Sequence, residues 1–278
     1  MLTDIDFSNY SVALDESVYR SINLAVYALE YIYGDVYVGV MPLRETDPRL
    51  IRPTAAISSI VCAVSAVLLM GFAQVTQPEV VPSWQPPSEL ALGASGWAMT
   101  TSFALLGLSC VLLFAALRGQ PASRTAHVGR YALLVGAAGG VLGAAFPTDR
   151  WDTTVPTATG MVHNVAPVLL DAVPLAAILL GVSLVRRSQG WRPTTTGVRA
   201  AAALVVGAVV VLSVSMGILL PQGGGLGPDV PIGWQARGLL VAVAAWVAIT
   251  AGCAVAVVRT AQTADDEPVP ADTAGAAR

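Results

Sequence analysis

The sequence has no lysine, two histidines and three cysteines, and only 12% of its 278 residues are charged, against about 25% in a soluble domain. So few charges exclude an ordinary soluble enzyme, and there is no basic, aromatic-interleaved surface for nucleic acid. Two histidines rule out a three-histidine zinc centre. A bis-histidine haem is excluded by position, because His127 and His163 fall at opposite membrane faces, roughly 30 Å apart. The glycine run Gly223, Gly224 and Gly225 leads into Leu226, Gly227 and Pro228. Without a following Lys-Ser/Thr it is no phosphate loop, so no metal and no cofactor is expected. The net charge of −3 names no partner, since in a membrane protein the placement of charge matters more than its sum.

What the sequence has instead is apolar length. Hydrophobic residues make up 55% of the chain. Six segments, 54–75, 96–117, 128–147, 160–185, 200–220 and 238–258, each supply the roughly 20 mainly apolar residues that a helix needs to cross a ~30 Å hydrocarbon core with its backbone satisfied internally. The expected fold is all-α, a polytopic membrane protein built as a bundle of six transmembrane helices. The third segment reads as the shortest, with Arg130 at its end. Three regions follow: an acidic, tyrosine-rich segment 1–52, the six-helix domain 53–259, and an acidic tail 260–278 whose small, charged and proline residues predict disorder.

Arginine placement sets the expected orientation. Alternate loops collect Arg44, Arg49, Arg52, Arg118, Arg124, Arg130, Arg186, Arg187, Arg192, Arg199 and Arg259 on one side, leaving Arg150 and Arg237 on the other. Both termini are therefore expected in the cytoplasm of a multi-pass cell-membrane protein, with loops 76–95, 148–159 and 221–236 outside. Trp84, Trp97, Trp151 and Trp234 then form an aromatic belt at the outer interface. Cys62, Cys110 and Cys253 fall toward the reducing face, where a disulfide is not expected, and read as small packing residues.

Residues 1–50 hold six of the seven tyrosines and eight acidic residues against three arginines. Acidic residues come first, so this is no signal peptide. Val18, Ile22, Val26, Leu29 and Tyr33 recur at helical spacing and predict an amphipathic helix over 15–33. Its polar face is acidic, which points away from an anionic leaflet and toward docking on the bundle or on a partner protein. A further possibility is a start at Met41, leaving 238 residues that open with a short arginine-containing stretch directly before the first spanning helix.

Ionisable groups inside spanning helices cost about 2.5–3.5 kcal/mol at the centre and are functional candidates by default. Asp171 is the deep one, roughly 16 Å below Gly160 at about 1.5 Å per residue. Pro167 and Pro174 remove the backbone donors to His163 and Leu170, which predicts a kink at Asp171. The spacing of four puts His163, Pro167 and Asp171 on one inward face, with Ser65, Ser109 and Ser213 as partners at similar depth. The alternative is a protonated Asp171 that only ties helices together. The pairs Gly136/Gly140 and Gly139/Gly143 match the pattern for close helix packing.

A second set lies at the outer helix ends: Glu89, Asp149, Asp152, His163, Asn164 and Arg237. A carboxylate, an imidazole and a guanidinium at one membrane surface form either an acid–base set with an anion clamp or a structural network tying loops together.

Ser88-Glu89-Leu90 followed by Gly96-Trp97, then Phe146-Pro147-Thr148-Asp149, then His163 form an ordered set whose spacing resembles the domain of unknown function 998 family of integral membrane proteins over about 57–258. The resemblance implies a bundle of six to seven helices with its signature polar residues gathered on one side. A fainter similarity, in the same Glu and Asp-to-His order, is to eukaryotic six-helix proteins that include autophagy modulators and lipid-remodelling factors. Residues 1–50, the tail and Asp171 lie outside the matched pattern.

The leading expectation is a membrane protein, surrounded by lipid, that binds a lipid headgroup or small polar ligand in an outward-facing pocket formed by Glu89, Asp149, His163, Asn164 and Arg237. One alternative is a lipid-modifying enzyme, with His163 as general base oriented by Asp149. The other is a proton-coupled carrier using Asp171.

Overall fold

A computed structural model of the chain describes residues 48–120, 123–187, 189–223 and 227–266. The tyrosine-rich segment with its expected helix over 15–33, and the tail beyond 266, lie outside the described residues. Eight α-helices and three short 3-10 turns are found among those described, and no strand. The helices are α1 Pro53–Thr76, α2 Gly96–Ala116, α3 Arg124–Ala145, α4 Ala158–His163, α5 Val165–Leu170, α6 Ala172–Arg187, α7 Thr195–Gly223 and α8 Gly233–Asp266. They make six stretches long and apolar enough to cross a membrane, α4 to α6 forming the fourth together. The protein is a multi-pass membrane protein of all-α fold.

Each span packs chiefly against its neighbours in sequence, and α8 closes the ring against α1. Short connections enforce this order, since neighbouring antiparallel helices need only a few residues between them. Lipid tails are as apolar as leucine, so close backbone approach rather than hydrophobicity holds such helices together. In α1 the buried face is Ala56, Ser59, Ala63, Ala66, Met70 and Ala73, small residues three and four apart. Ser59 and Ser102 tie the α1–α2 seam by donating to the carbonyls of Ser109 and Ala66 at 2.8 and 2.7 Å. Between α2 and α3 the closest crossing is Gly107 on Gly140, where a Cβ built on Gly140 would lie 2.7 Å from the Gly107 Cα.

The third span begins earlier than hydropathy predicts and is not the shortest: α3 has 22 residues and α2 has 21. Ser123 caps it by accepting from the Ala126 N–H at 3.1 Å, the ordinary role of serine at a helix start. Arg130 is consequently buried in the second turn, not at the end, with 5% exposure. Arg124, His127 and Arg130 lower the local hydropathy, which hides the true start.

The last helix also runs past its expected end. It continues to Asp266, so 260–266 are helical rather than disordered. Thr260 and Thr263 donate back to the carbonyls of Ala256 and Arg259 at 3.0 and 3.2 Å, adding side-chain bonds to those turns.

The fourth span is broken twice, at Asn164 and at Asp171, both of which keep right-handed helical dihedrals. The second break falls at the kink that Pro167 and Pro174 predict. The inward orientation of Asp171 is overturned. His163 is buried, whereas Pro167 and Asp171 are exposed on the surface of the bundle. Eight residues at 100° each leave an offset of roughly 80°, so spacing by four does not hold one face over two steps, and the breaks intervene as well. Among the described residues no bond joins Asp171 to Ser65, Ser109 or Ser213, and Ser109 donates instead to Leu106 within α2 at 2.7 Å.

Candidate functional site

Helix ends α1, α2, α3, α4, α7 and α8 bring Trp84, Trp97, Trp151 and Trp234 to one end of the bundle, called here the tryptophan end. Trp97 and Trp234 are each 60% exposed, and Trp84 meets Trp151 edge-on at 4.9 Å. Indole rings at a helix end suit the boundary between hydrocarbon and water.

Beneath them Arg237, in the second turn of α8, is only 6% exposed. Its Nε donates to Gln74 Oε1 at 2.9 Å, and its Nη1 reaches the carbonyls of Gln85, Gly233 and Pro82 at 2.7, 3.1 and 3.3 Å. Its Nη2 is buried with no hydrogen-bond partner among the described residues. Gln74 is held in place by donating to the Val80 carbonyl at 2.9 Å.

Gln85 is the hub. Its side-chain oxygen accepts from the Val81 N–H, its amide donates to Glu89 Oε2 at 2.9 Å, and its carbonyl receives Arg237. Glu89, on the 3-10 turn Pro87–Leu92, has 5% exposure. Its other oxygen accepts from the Trp151 N–H at 2.9 Å, so one carboxylate joins the α1–α2 and α3–α4 loops. Burial pushes the Glu89 carboxyl above its ordinary range, against the opposing hydrogen bonds from Gln85 and Trp151. Glu89 also acts electrostatically on Arg237.

The other expected residues stand in separate arrangements. Asp149 is half-buried, and its two oxygens accept from the Thr157 N–H at 2.9 Å and the Thr157 hydroxyl at 2.7 Å. Thr157 in turn accepts from Gly160 N at 3.0 Å and caps α4. Asp149 therefore bonds Thr157 and not His163. The His163 Nδ1 lies 2.8 Å from the Phe146 carbonyl, which fixes Nδ1 as the donor and leaves Nε2 as the acceptor in the neutral ring. Phe103 meets this imidazole edge-on at 6.1 Å. Asn164 is exposed at the break after α4. Among the described residues Asp152 pairs with Arg150 at 3.4 Å, both well exposed.

Gln74 and Gln85 are the components that the sequence reading misses. Neutral amides carry no charge to flag them, and a weak signal is only that both stand beside a proline-rich connection containing Pro78, Pro82, Pro86 and Pro87.

A cleft of about 220 Å³ lies below, lined by Met70, Ser102, Phe103, Leu106, Leu240 and Ala244 among others. Met70 is one turn below Gln74, and Leu240 one turn below Arg237, so polar cluster and apolar cleft are stacked.

No group of three or more potential metal ligands is present among the described residues. No curated protein and no solved structure matches the chain. The model of the family described as a protein of unknown function, DUF998, matches residues 60–252, a span that includes every polar residue of this end and more than half of the chain, and the protein belongs to that family.

Proposed function

We propose that the chain binds a lipid headgroup or a small polar molecule at its tryptophan end, that end facing outside the cell membrane, with Arg237 as the group that holds the ligand's anionic part. The observation that carries this reading is the buried, unpartnered Nη2 of Arg237. A buried donor without an acceptor costs about 1–3 kcal/mol and more when charged, and such groups in native proteins are usually satisfied by something bound. Glu89, Asp149, His163 and Asn164 surround or border the entrance in this reading. The apolar cleft supports an amphiphile: lined by Met70, Phe103, Leu106 and Leu240 directly beneath the polar cluster, it suits a length of hydrocarbon below a polar head. The paucity of arginine in the loops of this end supports its outward placement.

The test is native mass spectrometry of the gently extracted protein beside Arg237→Gln and His163→Ala. Wild type is expected to carry one specific small molecule or lipid that Arg237→Gln releases and His163→Ala retains less well. A wild type that carries nothing, or variants that keep the same species at the same occupancy, overturns the reading.

A further inference from the structure

At the opposite end, α6 and α7 pack against each other but leave a groove along their seam. The walls of this open groove include Ala177, Gly181, Val182 and Val185 of α6 and Arg199 and Ala202 of α7. Gly181 leaves this space without being required by the packing. A Cβ built there would meet Ala202 Cβ at 3.8 Å and Val198 Cγ1 at 3.9 Å, which are ordinary contacts. From Ala177 to Val185 the cleft follows α6 for roughly 12 Å at about 1.5 Å per residue. That is close to the ~15 Å depth of one leaflet's hydrocarbon.

The sequence of this hairpin is one-sided in charge. From Asp171 to Asp229 the sequence has no intervening acidic residue but includes Arg186, Arg187, Arg192 and Arg199. Arg199 is half-buried, and its guanidinium has no hydrogen bond or ion pair among the described residues. It lies in the second turn of α7, near the positive end of a 29-residue helix, where an anion is favoured. A guanidinium matches phosphate by paired hydrogen bonds, while its methylene stem covers apolar surface.

We propose that this cleft seats one acyl chain of an anionic phospholipid, with the lipid phosphate held by Arg199. The hairpin contains no carboxylate of its own, which leaves the Arg199 guanidinium open to a lipid phosphate. The site is separate from the tryptophan-end cluster and does not rest on its reading.

The full chain is reconstituted in vesicles of equal phosphatidylglycerol and phosphatidylcholine, extracted gently, and weighed intact by native mass spectrometry. Wild type is expected to retain one phosphatidylglycerol with a preference of about fivefold, the effect of one arginine beside an anionic group. Arg199→Gln abolishes the preference. Gly181→Leu, which fills the cleft, lowers retention of both lipids, and Gly181→Ala, which the spacing accommodates, lowers it less while keeping the wild-type circular dichroism. Arg150→Gln, at an exposed arginine of the tryptophan end, leaves the preference unchanged. Equal retention of the two lipids by wild type, a preference that survives Arg199→Gln, or a cleft occupied by a second copy, seen as a dimer that Gly181→Ala dissociates, overturns the proposal.

Discussion

Two buried guanidinium groups, one at each end of the bundle, are handled in opposite ways. Arg130 and Arg237 both sit within the first two turns of their own helices, where the positive end of the helix dipole disfavours a cation. The Nη1 of Arg130 is compensated by the carbonyls of Leu117, Arg118 and Gln120 at 3.0, 2.6 and 3.0 Å, close to the C-terminal, negative end of α2. Its Nη2 donates to His127 Nδ1 at 2.7 Å. Arg237 donates to no terminal carbonyl of another helix, and its contact with the last turn of α1 is to the Gln74 side chain. Its acceptors are two loop carbonyls, Gly233 of its own helix and a glutamine amide, with one nitrogen left over and a buried carboxylate nearby. The first arrangement uses an arginine to complete a helix end. The second keeps a cation that the described residues do not fully satisfy, which is the feature the proposed binding role rests on.

The sharpest test of that contrast replaces each arginine by methionine and measures thermal unfolding in detergent. Arg130→Met strips the donor from three carbonyls at the end of α2 and is expected to cost about 3–5 kcal/mol, as removal of one partner from a buried charged network does. Arg237→Met is expected to cost about 1–3 kcal/mol, because a buried, unsatisfied donor disappears along with the bonds that are made. Equal losses in the two variants would break the comparison.

A smaller effect is expected at Glu89, and its direction follows from the raised folded-state pKa. Stability linked to this carboxyl is fully present below its ordinary value near 4.5 and is lost as pH rises through the raised one. Glu89→Gln removes that titration, so the melting temperature of the variant should fall less than that of wild type as pH rises from about 4.5. Parallel curves would show that Glu89 does not titrate in this window. The smallest effect belongs to Arg150. Its pair with Asp152 at 3.4 Å leaves the side chains 70% and 51% exposed, so Arg150→Ala should change stability by less than about 0.5 kcal/mol. A larger drop would place this pair in the structural network of the tryptophan end.

Much of the fold was legible because membrane insertion imposes a length rule on apolar runs. All six spans stand where hydropathy puts them, and the disagreements are confined to their ends, where caps such as Ser123 and Thr157 decide the boundary. The candidate site was legible only in part. Glu89 and Arg237 announce themselves as charges near helix ends, and the structure joins them through Gln85. Asp149 and His163, which look like a catalytic pair in sequence, are each bonded elsewhere, to Thr157 and to Phe146. A backbone carbonyl as the partner of His163 leaves no trace in sequence, since every residue carries one. Asp171 was misplaced because helical periodicity drifts over two steps of four, and Pro167 and Pro174 interrupt it further.

The sequence by itself determined that this chain is a six-span membrane protein, because an apolar run of the right length has no other stable use when its backbone must be satisfied in lipid. It also determined which end carries most of the arginines. Only the tertiary structure decided which polar groups meet. Whether a guanidinium finds a helix end, as Arg130 does, or is left with an idle donor beside a carboxylate, as Arg237 is, depends on how loops 77–95 and 146–157 fold over the helix ends, and that placement is set by contacts far apart in the chain.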